Sequence, residues 1–183
     1  MNYLILLLFL FSLSSCAVIP KISFENKSET EASGRIIQSS HNAIDNILKV
    51  IPLDQPLDKH LPVIVSSLVN IDDLLSSRLG RMISEQYITR LVERGYNVTE
   101  LKLRERIFIR DKEGELLLSR EIPEIAKKHS SQAVLVGTYS SSIHTVYITV
   151  KLVSVSDNQV ISSYDYTLPY DSEIRSLLWQ KPQ

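Results

Sequence analysis

The chain has 183 residues, with 20 Lys or Arg against 21 Asp or Glu, for a net charge of −1. That balance gives no electrostatic footprint for nucleic acid, whose binders carry basic faces. A single cysteine excludes an internal disulfide framework and a multi-cysteine zinc site.

Residues 1–15 carry no charged side chain, and ten of the twelve from Tyr3 to Ser14 are apolar. The run is too short to span a bilayer, which takes about 20 residues, and it suits the h-region of a secretory signal. Leu13-Ser14-Ser15-Cys16 resembles a bacterial lipobox. No Lys or Arg precedes the apolar run, so the amino terminus alone supplies positive charge there. The resemblance implies cleavage before Cys16 and fatty acylation, palmitate included, of its sulfur and new amine. The competing reading is a lone buried cysteine. Ala17 rather than Asp after the cysteine implies, in Gram-negative lipoproteins, an outer-membrane destination. An acylated Cys16 would leave no thiol for catalysis, metal or disulfide.

Residues 16–35 read as a lipidated tether, polar and without a hydrophobic period, a composition that favours disorder. Residues 36–60 read as an amphipathic helix and a proline-containing linker. Ile36, Ile37, Ala43, Ile44, Ile47 and Leu48 follow helical spacing over Ile36 to Val50, and Pro52 and Pro56 end it. The apolar face packs on its own domain or is offered to a neighbouring subunit.

The domain proper is placed at residues 61–170. Val63, Ile64, Val65, Leu68 and Val69 form a short β-branched run expected to be a strand covered on both faces. Asn70, Asp72 and Asp73 supply turn chemistry. A helix of about 18 residues is expected to start between Asp73 and Ser77 and to end at Gly95. Its stripe is Leu79, Met82, Ile83, Tyr87, Leu91 and Val92. Tyr96 to Leu103 returns as a strand, giving a βαβ unit whose usual outcome is parallel pairing.

Ile107 to Leu118 suggests a hairpin around Asp111 to Gly114, and Ser119 to Ser130 a short helix. Ala133 to Tyr139 reads as a buried strand in which Gly137 signals a bulge or a close backbone contact. Thr145 to Val155 alternates, with Val146, Ile148, Val150 and Leu152 on one face and Tyr147, Thr149, Lys151 and Val153 on the other. Ser156-Asp157-Asn158 turns the chain into Gln159 to Leu168, an antiparallel hairpin stopped by Pro169. Residues 171–183 hold a short helix capped by Asp171 or Ser172. Trp179 is expected to pack back on the domain, the rival being an exposed anchor. The sum is an α/β fold, a layered sandwich with a mixed sheet of about five strands.

From Val63 to Pro169 the chain resembles the FlgO domain family through SLVNIDDLLSSRLGRMISEQ, RLVERGY, EGELLLSREI, QAVLVGTY, VYITVKLV and SSYDYTLP, in that order. The resemblance implies a fold similar to the TolB amino-terminal type. It also implies a non-enzymatic, periplasm-facing outer-membrane lipoprotein. Such a protein sits with periplasmic flagellar ring proteins, and a homo-oligomeric ring, around the flagellar base. An accessory role in another envelope machine, secretion or cell-wall synthesis, is the alternative, and a periplasmic hydrolase the remote one.

Enzyme signatures are sparse. His41, His60, His129 and His144 are scattered without an HExxH pair, and no GxSxG elbow or glycine-rich phosphate loop occurs. No metal or cofactor site is therefore expected. Glu113, Glu115 and Glu121 read as solvated carboxylates, and Asp72 and Asp73 as helix-start acids rather than cation ligands. Arg78 and Arg81 lie in the opening turns of the long helix, where the macrodipole disfavours cations. Either Asp72, Asp73 and Glu85 offset them internally, or both arginines reach an acidic partner.

Overall fold

The computed structural model describes residues 27–101 and 129–179, and the expected hairpin over 107–118 and most of the helix after it lie outside them. Among the described residues the fold is α/β: a mixed six-stranded sheet with three helices. Strands β1 (Val63–Ser66), β2 (Val69–Asn70), β3 (Val98–Leu101), β4 (Ala133–Ser141), β5 (Thr145–Ser154) and β6 (Val160–Pro169) are joined by α1 (Lys27–Lys49), α2 (Arg78–Glu93) and α3 (Ser172–Leu178). The order is β3-β1-β4-β5-β6, with β2 also paired to β4. β1 lies parallel to β3 and β4, whereas β5 and β6 continue antiparallel.

The run from Val63 to Val69 is two strands rather than one. Its chain breaks at Ser67 and Leu68, and Leu68 turns its N–H out of the ladder onto Ser84 Oγ at 3.0 Å. Ser84 Oγ in turn donates at 2.9 Å to Gly80 O and lies 3.1 Å from Ser66 O. One hydroxyl on α2 thus serves the backbone groups freed by the break, which keeps buried polar atoms paired. The shared hydroxyl also demands a close approach of helix and strand. A Cβ on Gly80 would run into the carbonyl of Leu68.

α2 starts at Ser77, whose side chain accepts from Gly80 N–H, and ends before Gly95 at φ +84°. It has 16 residues, slightly fewer than expected. Its buried stripe is Leu79, Ile83, Tyr87 and Leu91, with Met82 half-buried. Val92 does not belong to it and is exposed, on the side of the last turn away from the core that Leu91 enters.

α1 packs Ile36, Ala43, Ile44 and Ile47 onto this same core, so the face belongs to its own domain. Each such aliphatic side chain contributes about 1.5–3 kcal/mol when fully buried. α1 also begins earlier than expected, at Lys27, so helix replaces the second half of the stretch read as tether. The β5 alternation is as the sequence predicts: Val146, Ile148, Val150 and Leu152 are buried and Lys151 is exposed. Gly137 sits in an unbroken β4–β5 register, so it marks close contact rather than a bulge. Among the described pairings the register shifts instead between Leu152 and Val153, opposite β6. Trp179 is 61% exposed and does not pack back, because Ile174 is the residue that buries α3.

Candidate functional site

Chain direction gathers the candidate residues at one end of the domain. β1, β2 and β4 finish there, α2 begins there, and the β4–β5 turn and α3 lie beside them. Ile71 N–H donates to Tyr139 O at 2.9 Å, Ser142 N–H to Thr145 O at 2.8 Å, and Tyr170 N–H to His144 O at 2.9 Å. Arg35 of α1 joins the same end through a 3.2 Å ion pair with Asp171, the N-cap of α3.

Arg78 and Arg81 are both exposed at this end. Arg78 reaches across to donate to the carbonyl of Ser176 near the carboxyl end of α3. A guanidinium there complements the negative end of that helix, which offsets its unfavourable place on α2. Arg81 donates to Ser76 O at 3.3 Å and does not pair with Glu85. Neither arginine is neutralised by a direct ion pair with Asp72 or Asp73. Asp73 accepts from Leu75 N–H at 2.8 Å, and Asp72 N–H donates to Asn70 Oδ1 at 2.9 Å. The Asp73 carboxylate and the Asn70 side chain therefore shape the loop before α2, and neither acid caps the helix, which Ser77 does. Leu74, at φ 58°, bends that loop through the left-handed region, a costly conformation for a γ-branched side chain.

Behind this loop Tyr139 is buried, with its hydroxyl on Ser77 and with Asp73 and Arg81 in its field. Burial is the largest influence on the phenol and raises its pKa. The phenol thus stays neutral and helps hold the N-cap.

A second charged cluster, which the sequence pattern does not reveal, ties α1 to the other end of α2. Asp45 accepts from Arg90 Nε at 3.0 Å and Nη2 at 2.5 Å, and from Arg94 Nε at 2.7 Å. Arg90 also pairs with Glu93 at 2.8 Å. Hydrogen bonds from Arg90 hold the Asp45 carboxyl below its ordinary pKa despite partial desolvation. Only the parallel packing of two helices 45 residues apart brings these groups together. Between the helices and β6, Tyr87 OH meets Tyr166 OH at 2.9 Å, and burial raises both phenols.

Among the described residues no group of three or more His, Cys, Asp or Glu could hold a metal ion. Among them, too, no helix is long and apolar enough to cross a membrane. Cys16 lies outside the described residues. This end of the described surface brings together arginine side chains, backbone carbonyls and exposed apolar side chains.

A search of curated proteins found no match. Among solved structures, the chain is similar to the LpoB C-terminal domain from Salmonella enterica, with TM-score 0.50 and 13% identity over 70% of this chain and 94% of that one. The LpoB C-terminal domain from Escherichia coli gives 0.48 at 13% identity, covering 70% and 97%. The PelC dodecamer from Paraburkholderia phytofirmans gives 0.43 at 18%, covering 62% and 74%. At such identities the likeness to the Salmonella domain concerns the fold alone. Residues 41–173 match the family of the FlgO protein, a span that takes in the second half of α1 as well as the whole sheet. The chain belongs to the FlgO family.

Proposed function

We propose that this FlgO-family chain is a non-enzymatic lipoprotein of the outer membrane that serves the structure around the flagellar base. Family membership over residues 41–173 carries the proposal. The Leu13-Ser14-Ser15-Cys16 sequence supplies the anchor. Acyl chains on Cys16 hold the chain at the periplasmic face of the bilayer, each buried methylene adding about 0.8 kcal/mol. Tethering then raises the domain's concentration for periplasmic partners to the mM range typical of short linkers. The role is mechanical and positional: a rigid α/β body presented at a fixed surface.

A strain lacking the protein should swim poorly and show an altered flagellar base by electron microscopy. Normal swimming and a normal base would discard the flagellar role and move the protein to another envelope machine.

A further inference from the structure

We infer that the end of the domain bearing Ile71, Ile143 and Trp179 docks onto the bilayer that carries the lipid anchor. The inference rests on the acylation of Cys16 proposed above. Exposed apolar side chains occur at both ends of the domain, Leu53 at the far end being the most exposed, and three stand together at this one. Ile71 is 53% exposed, Ile143 79% and Trp179 61%. Ile143 is the middle of the three residues that join β4 to β5, Ile71 lies beside Tyr139, and Trp179 follows α3, whose Ser176 carbonyl holds Arg78. All three therefore project from the same end.

That end is also where the anchored part of the chain leaves. Arg35, held to Asp171, fixes α1 there, and α1 continues back to Lys27, about 12 Å further at 1.5 Å per residue. The eleven residues from Cys16 to Lys27 add at most about 37 Å. The acyl chains are thus tied within reach of this end, and the opposite end, with Leu53 and Leu61, is the one held away. Under such a tether a modest affinity is enough to keep the contact closed. Tryptophan with flanking arginines suits the headgroup region, where an amphipathic ring lies half in hydrocarbon. Arg35, Arg78, Arg81 and Arg175 are matched at this end by Asp72, Asp73, Asp171 and Glu173. Docking therefore draws on apolar insertion and not on net charge, and zwitterionic lipid suffices.

Trp179 is the chain's only tryptophan, so it reports its own depth. The mature acylated protein is reconstituted into phosphatidylethanolamine/phosphatidylcholine vesicles with and without bromine on the upper acyl carbons. Docking predicts co-flotation and a loss of roughly half the Trp179 emission on bromination, the depth of an interfacial indole. Ile143→Ser should weaken that quenching, and 0.5 M salt should leave it in place, 0.5 M being about the range where surface charge is screened. A Trp179→Phe, Leu53→Trp variant should float but stay unquenched. Flotation with an unquenched Trp179, or quenching at Leu53→Trp instead, overturns the docking and leaves the anchor standing. Failure to float overturns the anchor and, with it, the docking.

Discussion

Gly137→Ala tests how tightly the broken strand is held. A Cβ there would lie 2.7 Å from Leu68 Cγ and 3.2 Å from both Leu68 Cδ1 and Thr149 O. Carbon atoms prefer about 3.5–4.0 Å, so Leu68 must retreat by nearly an ångström. It has nowhere to go: its N–H is bonded to Ser84, and its carbonyl lies against Gly80. Overpacking of this kind costs about 1–3 kcal/mol, and the upper half of that range applies to a pinned neighbour. Because Gly137 is not in the left-handed region, alanine gains about 0.4–1 kcal/mol from the stiffer unfolded chain. The net expectation is a loss of about 1–2.5 kcal/mol, or about 4–10 °C in Tm at roughly 4 °C per kcal/mol for a domain of this size. Urea and thermal unfolding by circular dichroism read the loss. The cycle with Leu68→Ala is the sharper assay. Leu68→Ala alone should cost about 2–5 kcal/mol. In the double variant the new methyl enters the space vacated, so the two losses should fall short of their sum by about 1 kcal/mol or more. Additivity within about 0.5 kcal/mol, or a neutral Gly137→Ala, would refute the packing argument.

Asp45→Asn should lower Tm at neutral pH. Arginine bonds depress the folded pKa of Asp45, so its contribution is complete above its ordinary value of 3.8 and fades as pH falls below it. The gap in Tm between variant and wild type should therefore close below about pH 3.8, and a constant gap would show that the carboxylate charge is not the cause. Tyr87→Phe should cost about 1 kcal/mol by leaving the Tyr166 hydroxyl short of a partner. Since burial raises both phenols, the wild type should lose stability as pH climbs past about 10, and the variant should lose less. Arg78→Gln with Arg81→Gln should cost about 0.5–1.5 kcal/mol, because the Ser176 carbonyl loses its Arg78 donor. Urea unfolding reads the loss, and an unchanged midpoint would show that the tie between α2 and α3 adds nothing. Cys16→Ala should lack the acyl mass and leave the membrane fraction.

The hairpin β5–β6, the βαβ unit and the cap at Gly95 were legible because each is a local pattern: period two, period 3.6, or a glycine at positive φ. Ser67-Leu68 was not, since an apolar run looks continuous whether or not one residue turns its amide to a serine on the facing helix. The exposure of Trp179 is not legible for a related reason. Composition favours burial of an indole, but α3 turns Ile174, with Leu177 and Leu178 beside it, to the core and leaves the indole outside. Of the candidate site, the positions of Arg78 and Arg81 on the first turns of α2 followed from the sequence. Their partners, two backbone carbonyls, did not, because carbonyls carry no sequence signal. The Asp45–Arg90–Arg94 cluster required knowledge that α1 and α2 run parallel, which no local spacing encodes.

Among the described strands, β3 and β6 stand at the two ends of the sheet. β6 is a ten-residue strand at the end of the sheet, and a long flat edge invites pairing with another chain. Three features oppose that. The register breaks opposite Leu152 and Val153, Asp165 is exposed in the middle of the strand, and Pro169, which lacks an N–H, closes it. α1 also packs beside β6, with Ser162 Oγ donating to Ile47 O at 2.9 Å. The outer face of β5 is no better suited to stacking, since Thr149 and Lys151 interrupt it. Exposed apolar side chains remain chiefly at the two ends: Ile71, Ile143 and Trp179 at one, Val50, Leu53, Leu61 and Val92 at the other. With its β6 edge blunted, the described domain offers apolar contact chiefly at its two ends, and under the proposed anchor α1 sets which of them lies nearer the lipid.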